Sequence, residues 1–398
     1  MLRSGQMAAL VAVSALTAAA CGSSSKTASP ASAGSKTPGG AASSTASPAG
    51  GNGYQAAVTA TAAAEKGTNR PVDPTSRPAV KNKSIVVISA GQATSSSQVP
   101  SDGAVEAAKA IGWKVTLYDA KLNPSNYSPL IRQAIAAHAD GIVLDSIDCQ
   151  AATAALKEAK AANIALVPIT AFDCTDPAAG NQSTGVYSAV TNFGPTGKNV
   201  DAFTESYGAD QANYIIAKSQ NKAKIIVLQD PEFTVLHYTF QGFSKAIQNS
   251  GGSTMVDTVT FTVADLIDGQ LVSKVQAALL QHPDATWIKS PYTTATQLGI
   301  VPGLGANTRH VSVMGGEGYP AELDLIRAGK VTAVNIISET WLGWSTIDTM
   351  NSYFLGKPPA DSGIGWTIAD ATHNLPASGS FNPPIDFKAA YQKAWGSS

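Results

Sequence analysis

The chain has 398 residues, of which 44% are hydrophobic, 14% charged and 7% aromatic, with 27 basic against 28 acidic side chains. That length predicts two or three domains and leaves room for a sizeable core. A net charge of −1 with no cluster of Lys and Arg excludes a nucleic-acid binder, because phosphate contacts need a basic patch.

Residues 1–20 read as an export signal. Arg3 is the only charge before a short apolar run at residues 7–16, and small residues follow it. Spanning a bilayer takes about 20 apolar residues, so this run is too short to cross. Ala18-Ala19-Ala20-Cys21 resembles a bacterial lipobox, which implies lipidation of Cys21 and anchoring to the outer face of the cell membrane. Ala18 stands where lipoboxes usually carry Leu, so an ordinary signal cut near Ala20 is the other reading. From residue 22 to 53 there is only Gly, Ala, Ser, Thr, Pro, Lys and Asn, with nothing to bury against the entropy of ordering. Such a spacer reaches about 30 Å as a random coil. Residues 54–66 suit one Ala-rich helix that the Pro-rich stretch 70–78 breaks, and both are read as part of a linker running from 21 to 81.

Strands then alternate with helices. Apolar, β-branched runs fall at 84–90, 113–119, 141–147, 164–170 and 186–190, with 3.6-residue spacing between them, as in Val105, Ala108 and Ile111. The pattern recurs with strands expected at 224–228, 255–261, 286–288, 310–314 and 331–337, and helices at 238–248 and 271–281. Near-continuous apolar strands between amphipathic helices predict α/β architecture, two parallel sheets each covered on both faces.

Open α/β sheets bind ligands beyond the carboxyl ends of their strands. Those positions hold Gln92 and Ser95, Ser146 and Asp148, and Phe172 and Asp173 in the first half. In the second half they hold Asp230 and Phe233, Tyr292 and Thr293, Glu317, and Glu339 and Trp341. Carboxylates, amides and hydroxyls beside aromatic rings suit a neutral polyhydroxylated solute, with rings against its C–H faces and polar groups on its hydroxyls. The acidic groups also admit cationic ligands such as amines, and a nucleoside stays open.

The ordered series from Ser101 to Ile147, through Ala110-Ile111-Gly112-Trp113-Lys114-Val115, Ile131-Arg132-Gln133-Ala134-Ile135-Ala136 and Ala139-Asp140-Gly141-Ile142-Val143-Leu144, resembles the type 1 periplasmic sugar-binding proteins. These are the solute receptors of ABC importers. Residues 159–168 and the turn Gly315-Gly316-Glu317-Gly318 continue the likeness, which covers about residues 82 to 375. The resemblance implies two doubly wound lobes closing around a ligand on a three-crossing hinge. The crossings are expected near residues 192–194, 339–341 and 363–366. One lobe is then 82–192 plus 340–364, and the other 193–339 plus 365–398. It implies binding roles for Gln92, Ser95, Asp173, Glu317 and Glu339, and stacking by Phe172, Phe233, Tyr292 and Trp341. His237 falls where the family often has Arg, and Thr293 where Asn is common, so the pocket need not fit a common aldopentose.

Cys149 and Cys174 follow adjacent expected strands, whose ends lie about 5 Å apart, within reach of a disulfide in an exported chain. Enzyme signatures are missing: there is no phosphate loop, no H-E-x-x-H, no G-x-S-x-G elbow and no dinucleotide glycine series. A glycosidase would need two carboxylates about 5 to 9 Å apart with split pKa values, and Asp173 and Glu317 could approach each other on lobe closure, but the enzyme reading is the weaker one. No cofactor or metal is implied. The expected function is capture of a sugar or polyol by a monomer and delivery to a membrane permease, or, on the same fold, signalling of occupancy to a sensor kinase or chemoreceptor.

Overall fold

The computed structural model describes residues 51–196, 199–305 and 310–397, so the signal, Cys21 and the linker as far as residue 50 lie outside the described residues. All described residues belong to a single compact unit. Among them no helix is long and apolar enough to cross a membrane.

In chain order α1 (Gly51–Lys66) precedes an N-lobe of β1 (Ser84–Ser89), α2 (Ser95–Ala110), β2 (Lys114–Asp119), α3 (Tyr127–Ala136), β3 (Gly141–Asp145), α4 (Cys149–Ala161) and β4 (Ala165–Ile169). A C-lobe follows with α5 (Val200–Lys218), β5 (Lys224–Gln229), α6 (Thr234–Ser250), β6 (Thr254–Thr260), α7 (Val263–Ile267), α8 (Gln270–Gln281) and β7 (Trp287–Lys289). Short turns α9 (Thr293–Ala295) and α10 (Val301–Leu304) lead to β8 (Ser312–Met314), α11 (Pro320–Arg327) and β9 (Ala333–Ile337). The chain ends in α12 (Glu339–Phe354), β10 (Trp366–Asp370) and α13 (Phe387–Trp395).

The N-lobe sheet has four parallel strands in the order β2-β1-β3-β4. The central strand β3 and the edge strand β4 are buried throughout, as apolar runs covered by helices on both faces must be. The C-lobe sheet has six strands in the order β10-β9-β8-β7-β5-β6. β10 pairs antiparallel with β9, an edge strand absent from the sequence expectation. The fifth N-lobe strand expected at residues 186–190 is a loop. It lies beside β4, but the Ser188 hydroxyl accepts from Leu166 N at 3.0 Å where a strand would offer its carbonyl.

Three crossings join the lobes. Asn192 bridges Asp361 in parallel, and the third passes between β9 and α12 at Ile337 and Ser338. An aromatic spine follows them, with Phe193 stacked on Phe203 at 4.1 Å and Phe203 edge-on to Trp366 at 5.2 Å.

Both chain ends depart from the expected boundaries. Residues 51–80 are no spacer: Ala57 and Ala64 of α1 are buried against the C-lobe, and the strap after α1 runs beside the hinge. Along the strap Thr68 N donates to Trp366 O (2.8 Å), Arg70 N to Gly363 O (2.7 Å) and Ala79 N to Trp395 O (3.0 Å). Arg70 also donates to Phe193 O and to the Asp361 carboxylate, both at 2.8 Å, which ties two crossings together. At the other end α13 stands apart from the C-lobe, where residues 365–398 are expected. It packs on α12 of the N-lobe, with Trp344 stacked on Trp395 at 5.5 Å.

Candidate functional site

The carboxyl ends of both sheets face one cleft, and between the lobes it holds a cavity of about 490 Å³. Small-molecule sites span roughly 300 to 1,000 Å³, so the size is that of a ligand pocket. The N-lobe contributes Thr94, Ser96 and Ser97 from the start of α2, Lys121 and Leu122 after β2, Ser146 after β3 and Thr170 after β4. Ser146 and Thr170 hold φ of 57° and 45°. Positive φ is costly for a β-branched residue such as Thr, and backbone of this kind gathers at binding sites.

The C-lobe supplies a different wall. Phe203, Thr204 and Tyr207 come from α5, Phe233, Val235, Leu236 and Thr239 from the start of α6, and Val263, Leu266 and Ile267 from α7. Pro291, Tyr292, Thr294 and Leu298 follow β7, Glu317 follows β8, and Ile337 and Glu339 flank the third crossing. Helices α5 and α6 touch closely enough to form this wall because glycines face each other's backbone. A Cβ on Gly208 would lie 1.9 Å from Thr239 O.

The turn bearing Glu317 is held by an internal carboxylate the sequence did not reveal. Glu322 is fully buried and accepts from Gly316 N (2.7 Å), Gly318 N (3.0 Å) and the Thr293 hydroxyl (2.7 Å). Gly318 sits at φ 79°, which favours glycine. Glu317 accepts from Thr293 N at 2.8 Å and, across the cleft, from the Ser96 hydroxyl at 3.3 Å. Glu339 is only 9% exposed, and among the described residues its side chain has no hydrogen-bond partner although it lines the cavity. Burial, reinforced by Glu317 and Asp145 nearby, holds the Glu339 carboxyl well above the usual range. Burial raises Glu317 as well, against the hydrogen bond from Thr293 N.

Of the residues singled out in the sequence, Ser146, Phe233, Tyr292, Glu317 and Glu339 line this cavity. The others stand apart for identifiable reasons. Asp173 turns away from the cleft: its carboxylate accepts from Cys174 N, Val186 N and Tyr187 N at 2.7, 2.7 and 3.3 Å, organising the loop after β4. That also removes it as a partner for Glu317 in any glycosidase pair. Asp148 accepts from Phe172 N (2.8 Å) and, across the lobes, from Thr234 N (3.1 Å), so it joins the lobes beside the cavity. Phe172 stacks on Tyr238 at 5.1 Å in the same inter-lobe contact, where the Tyr238 hydroxyl donates to Asp176 at 2.8 Å.

Asp230 is fully buried and takes the Tyr292 hydroxyl at 2.9 Å, and burial pushes its carboxyl up to about 6. It orients the ring of Tyr292 without lining the cavity. Thr293 spends its hydroxyl on Glu322 and its N–H on Glu317. Gln92 and Ser95 lie next to lining residues without lining the cavity themselves, with Gln92 N bonded to Asp119 at 3.1 Å. His237 is exposed on α6, edge-on to Tyr238 at 5.2 Å. Trp341 is fully buried inside α12, stacked on Phe387 at 4.8 Å, because the helix begins two residues before it and carries it into the packing with α13. Cys149 and Cys174 are joined with Cα atoms 5.0 Å apart, tying the start of α4 to the loop after β4.

A family model described as periplasmic binding protein domain matches residues 85–358. No curated protein matches the chain. Among solved structures, an ABC transporter solute-binding protein from Agrobacterium vitis with bound alpha-D-tagatopyranose aligns at TM-score 0.62 and 19% identity, covering 72% of this chain and 94% of its own. A solute-binding protein from Mycobacterium smegmatis with bound glycerol aligns at TM-score 0.60 and 20% identity over 76% of this chain and all of its own. A glucose-galactose binding protein from Geobacillus stearothermophilus gives 0.59 and 16% over 73% and 98%. At such identities the likeness establishes the fold, the two-lobed type I periplasmic binding arrangement. The family and these neighbours are described as binding proteins and none as an enzyme.

Proposed function

Since the chain belongs to the periplasmic binding protein domain family, we propose that it is an exported lipoprotein that captures a small polar solute, a sugar or polyol, between its lobes. Lipid on Cys21 would hold it at the outer face of the membrane, where it delivers the closed complex to an ABC import permease. The observation that carries this reading is Glu339: a carboxyl nine-tenths buried, without a side-chain hydrogen bond among the described residues, at the hinge side of a cavity both lobes line. A buried acceptor without a partner costs free energy, and a ligand hydroxyl removes that cost. Glu317 stands on the same side with an inter-lobe bond to Ser96, so a solute meeting both carboxylates and the N-lobe hydroxyls bridges the lobes. Binding that bridges them favours the closed state over the open one, which is the signal a permease reads. The sugars and polyols found in the structural neighbours support the choice of solute class.

Calorimetric titration of a sugar and polyol panel tests the site. Glu339→Gln is expected to weaken the best ligand by about tenfold, the loss of one hydrogen bond between the buried carboxyl and a ligand hydroxyl. Unchanged affinity would take Glu339 out of the site. Loss of lipid labelling in Cys21→Ser cells tests the anchor.

A further inference from the structure

We propose that the ligand is an amphiphile, a glycoside whose hydroxyl-bearing ring meets Glu339 and the N-lobe hydroxyls and whose apolar aglycone lies on Phe233, Leu266, Ile267 and Leu298. The proposal rests on the solute-receptor reading above and narrows its solute.

The cavity is two-sided. The N-lobe side carries five hydroxyls, on Thr94, Ser96, Ser97, Ser146 and Thr170, beside Lys121 and the apolar Ala93 and Leu122, and the acidic Glu317 and Glu339 adjoin it. The C-lobe side carries Thr204, Thr239 and Thr294 among a majority of aromatic and aliphatic side chains. No described lining residue is Arg, Asn or Gln. A free sugar has hydroxyls around its whole ring, and those pressed on Leu266 or Phe233 would lose water without gaining a partner. A ring bearing an apolar substituent presents hydroxyls to one wall and hydrocarbon to the other.

The cavity's opening points the same way. Exposed large hydrophobic side chains are few among the described residues: Ile267 at 65%, Leu280 at 82%, Leu298 at 51% and Tyr353 at 44%. Single exposed apolar residues need no explanation. Here two of the four, Ile267 and Leu298, line one cavity while remaining solvent-exposed, and so mark where it meets water. They come from separate elements, α7 and the helical segment 296–300, and continue outward from the buried Leu266. An apolar lip on a polar-floored pocket fits a ligand whose hydrocarbon end lies toward the opening. Phe233 and Tyr292 give that end flat surfaces to stack on.

Calorimetry on the full chain, with free monosaccharides and the phenyl α- and β-glycosides of the same sugars, tests the inference, with phenol as the control for the aglycone alone. The best phenyl glycoside is expected to bind at least about tenfold tighter than its parent sugar. The double variant I267N/L298N, both positions being exposed, is expected to bring that ratio close to one, with an unchanged melting temperature showing that it folds. Parent sugars binding as tightly as their glycosides would overturn the inference and leave the receptor reading standing. A ratio that survives in the double variant, or phenol alone binding as well as the glycoside, would also overturn it. Binding of neither sugars nor glycosides would overturn the sugar reading and this inference together.

Discussion

The N-lobe sheet has four strands and the C-lobe sheet six, and the two lobes are completed by different means. The C-lobe closes its β9 edge with a strand of its own chain segment, β10. Among the described residues the N-lobe has no such strand at its β4 edge; it takes on two outside elements, residues 77–80 of the strap and helix α13 from the far end of the chain, and is tied internally by the Cys149–Cys174 bond. A small parallel sheet buries a small core, so its stability depends more heavily on such additions. The division carries into function. The lobe that relies on them presents the hydroxyl floor of the cleft, and the larger lobe presents the apolar wall.

Cutting the strap at its two ends should therefore give unequal results. Arg77 and Asp348 form an ion pair 3% and 5% exposed at 2.9 Å, with Trp395 Nε1 on the same carboxylate at 2.8 Å. Arg77→Ala strands a buried charge and is expected to lower unfolding free energy by about 3 to 5 kcal/mol. At the C-lobe end Lys218 pairs with Glu65 at 3.1 Å, but Lys218 is 37% exposed. Lys218→Ala is expected to change stability by about 1 kcal/mol or less. Guanidinium unfolding followed by tryptophan fluorescence measures both. Equal effects would show that the strap supports neither lobe preferentially.

The disulfide comes next. Its cysteines are 25 residues apart, and a loop of that size is worth about 3 kcal/mol in constraint on the unfolded chain. Thermal unfolding of the native chain against C149A/C174A measures it, and a native protein with two titratable thiols would show the bond absent.

Much of the lobe pattern was legible in the sequence because buried parallel strands write themselves as apolar runs. The expectations at 84–90, 113–119 and 141–147 overlap β1, β2 and β3 closely. Residues 186–190 read as a strand on the same signal, yet only the Ser188 N–H pairs with the β4 main chain, and its hydroxyl stands where a strand would offer a carbonyl, which no periodicity records. β10 escaped because Trp366-Thr367-Ile368-Ala369-Asp370 is no continuous β-branched apolar run, and it joins the sheet antiparallel, outside the alternation of parallel strands. For the site, the strand-end rule located Ser146, Glu317 and Glu339. It could not see Phe203, Tyr207, Leu266, Ile267 or Leu298, which sit on helices and a helical turn and reach the cleft only through tertiary packing. The same rule placed Asp173 in the cleft, where the backbone of its own loop had already claimed the carboxylate.

A gentler probe of the N-lobe is its pH dependence. Asp145 ends β3, is fully buried, and accepts from the Ser101 hydroxyl at 2.7 Å. Burial pushes its carboxyl up to about 8 from an ordinary 3.8. The folded chain thus holds a proton that the unfolded chain releases, so this contribution is complete below about pH 4 and declines as pH rises toward 8. Asp145→Asn removes the titration. Relative to the native chain, the variant is expected to gain stability with rising pH by at most about 1.4 kcal/mol per pH unit. Parallel stability profiles between pH 4.5 and 7.5 would show Asp145 ionised in the fold.

The smallest effect tests the sheet edge itself. Ser188 meets β4 twice: its hydroxyl accepts from Leu166 N at 3.0 Å, and its own N–H donates to Leu166 O at 2.8 Å. Ser188→Ala keeps the second bond and removes the first, leaving the N–H of a fully buried residue without a partner. The expected loss is about 1 to 2 kcal/mol, the cost of one unsatisfied donor. Ser188→Thr retains the hydroxyl and should restore most of it. Hydrogen exchange gives the sharper readout, because protection should fall at Leu166 first while the amide of Val334 in the C-lobe sheet keeps its native rate. If both sheets lost protection together, the N-lobe edge would be stabilised by the body as a whole, and the two lobes would differ in strand number but not in how their edges are closed.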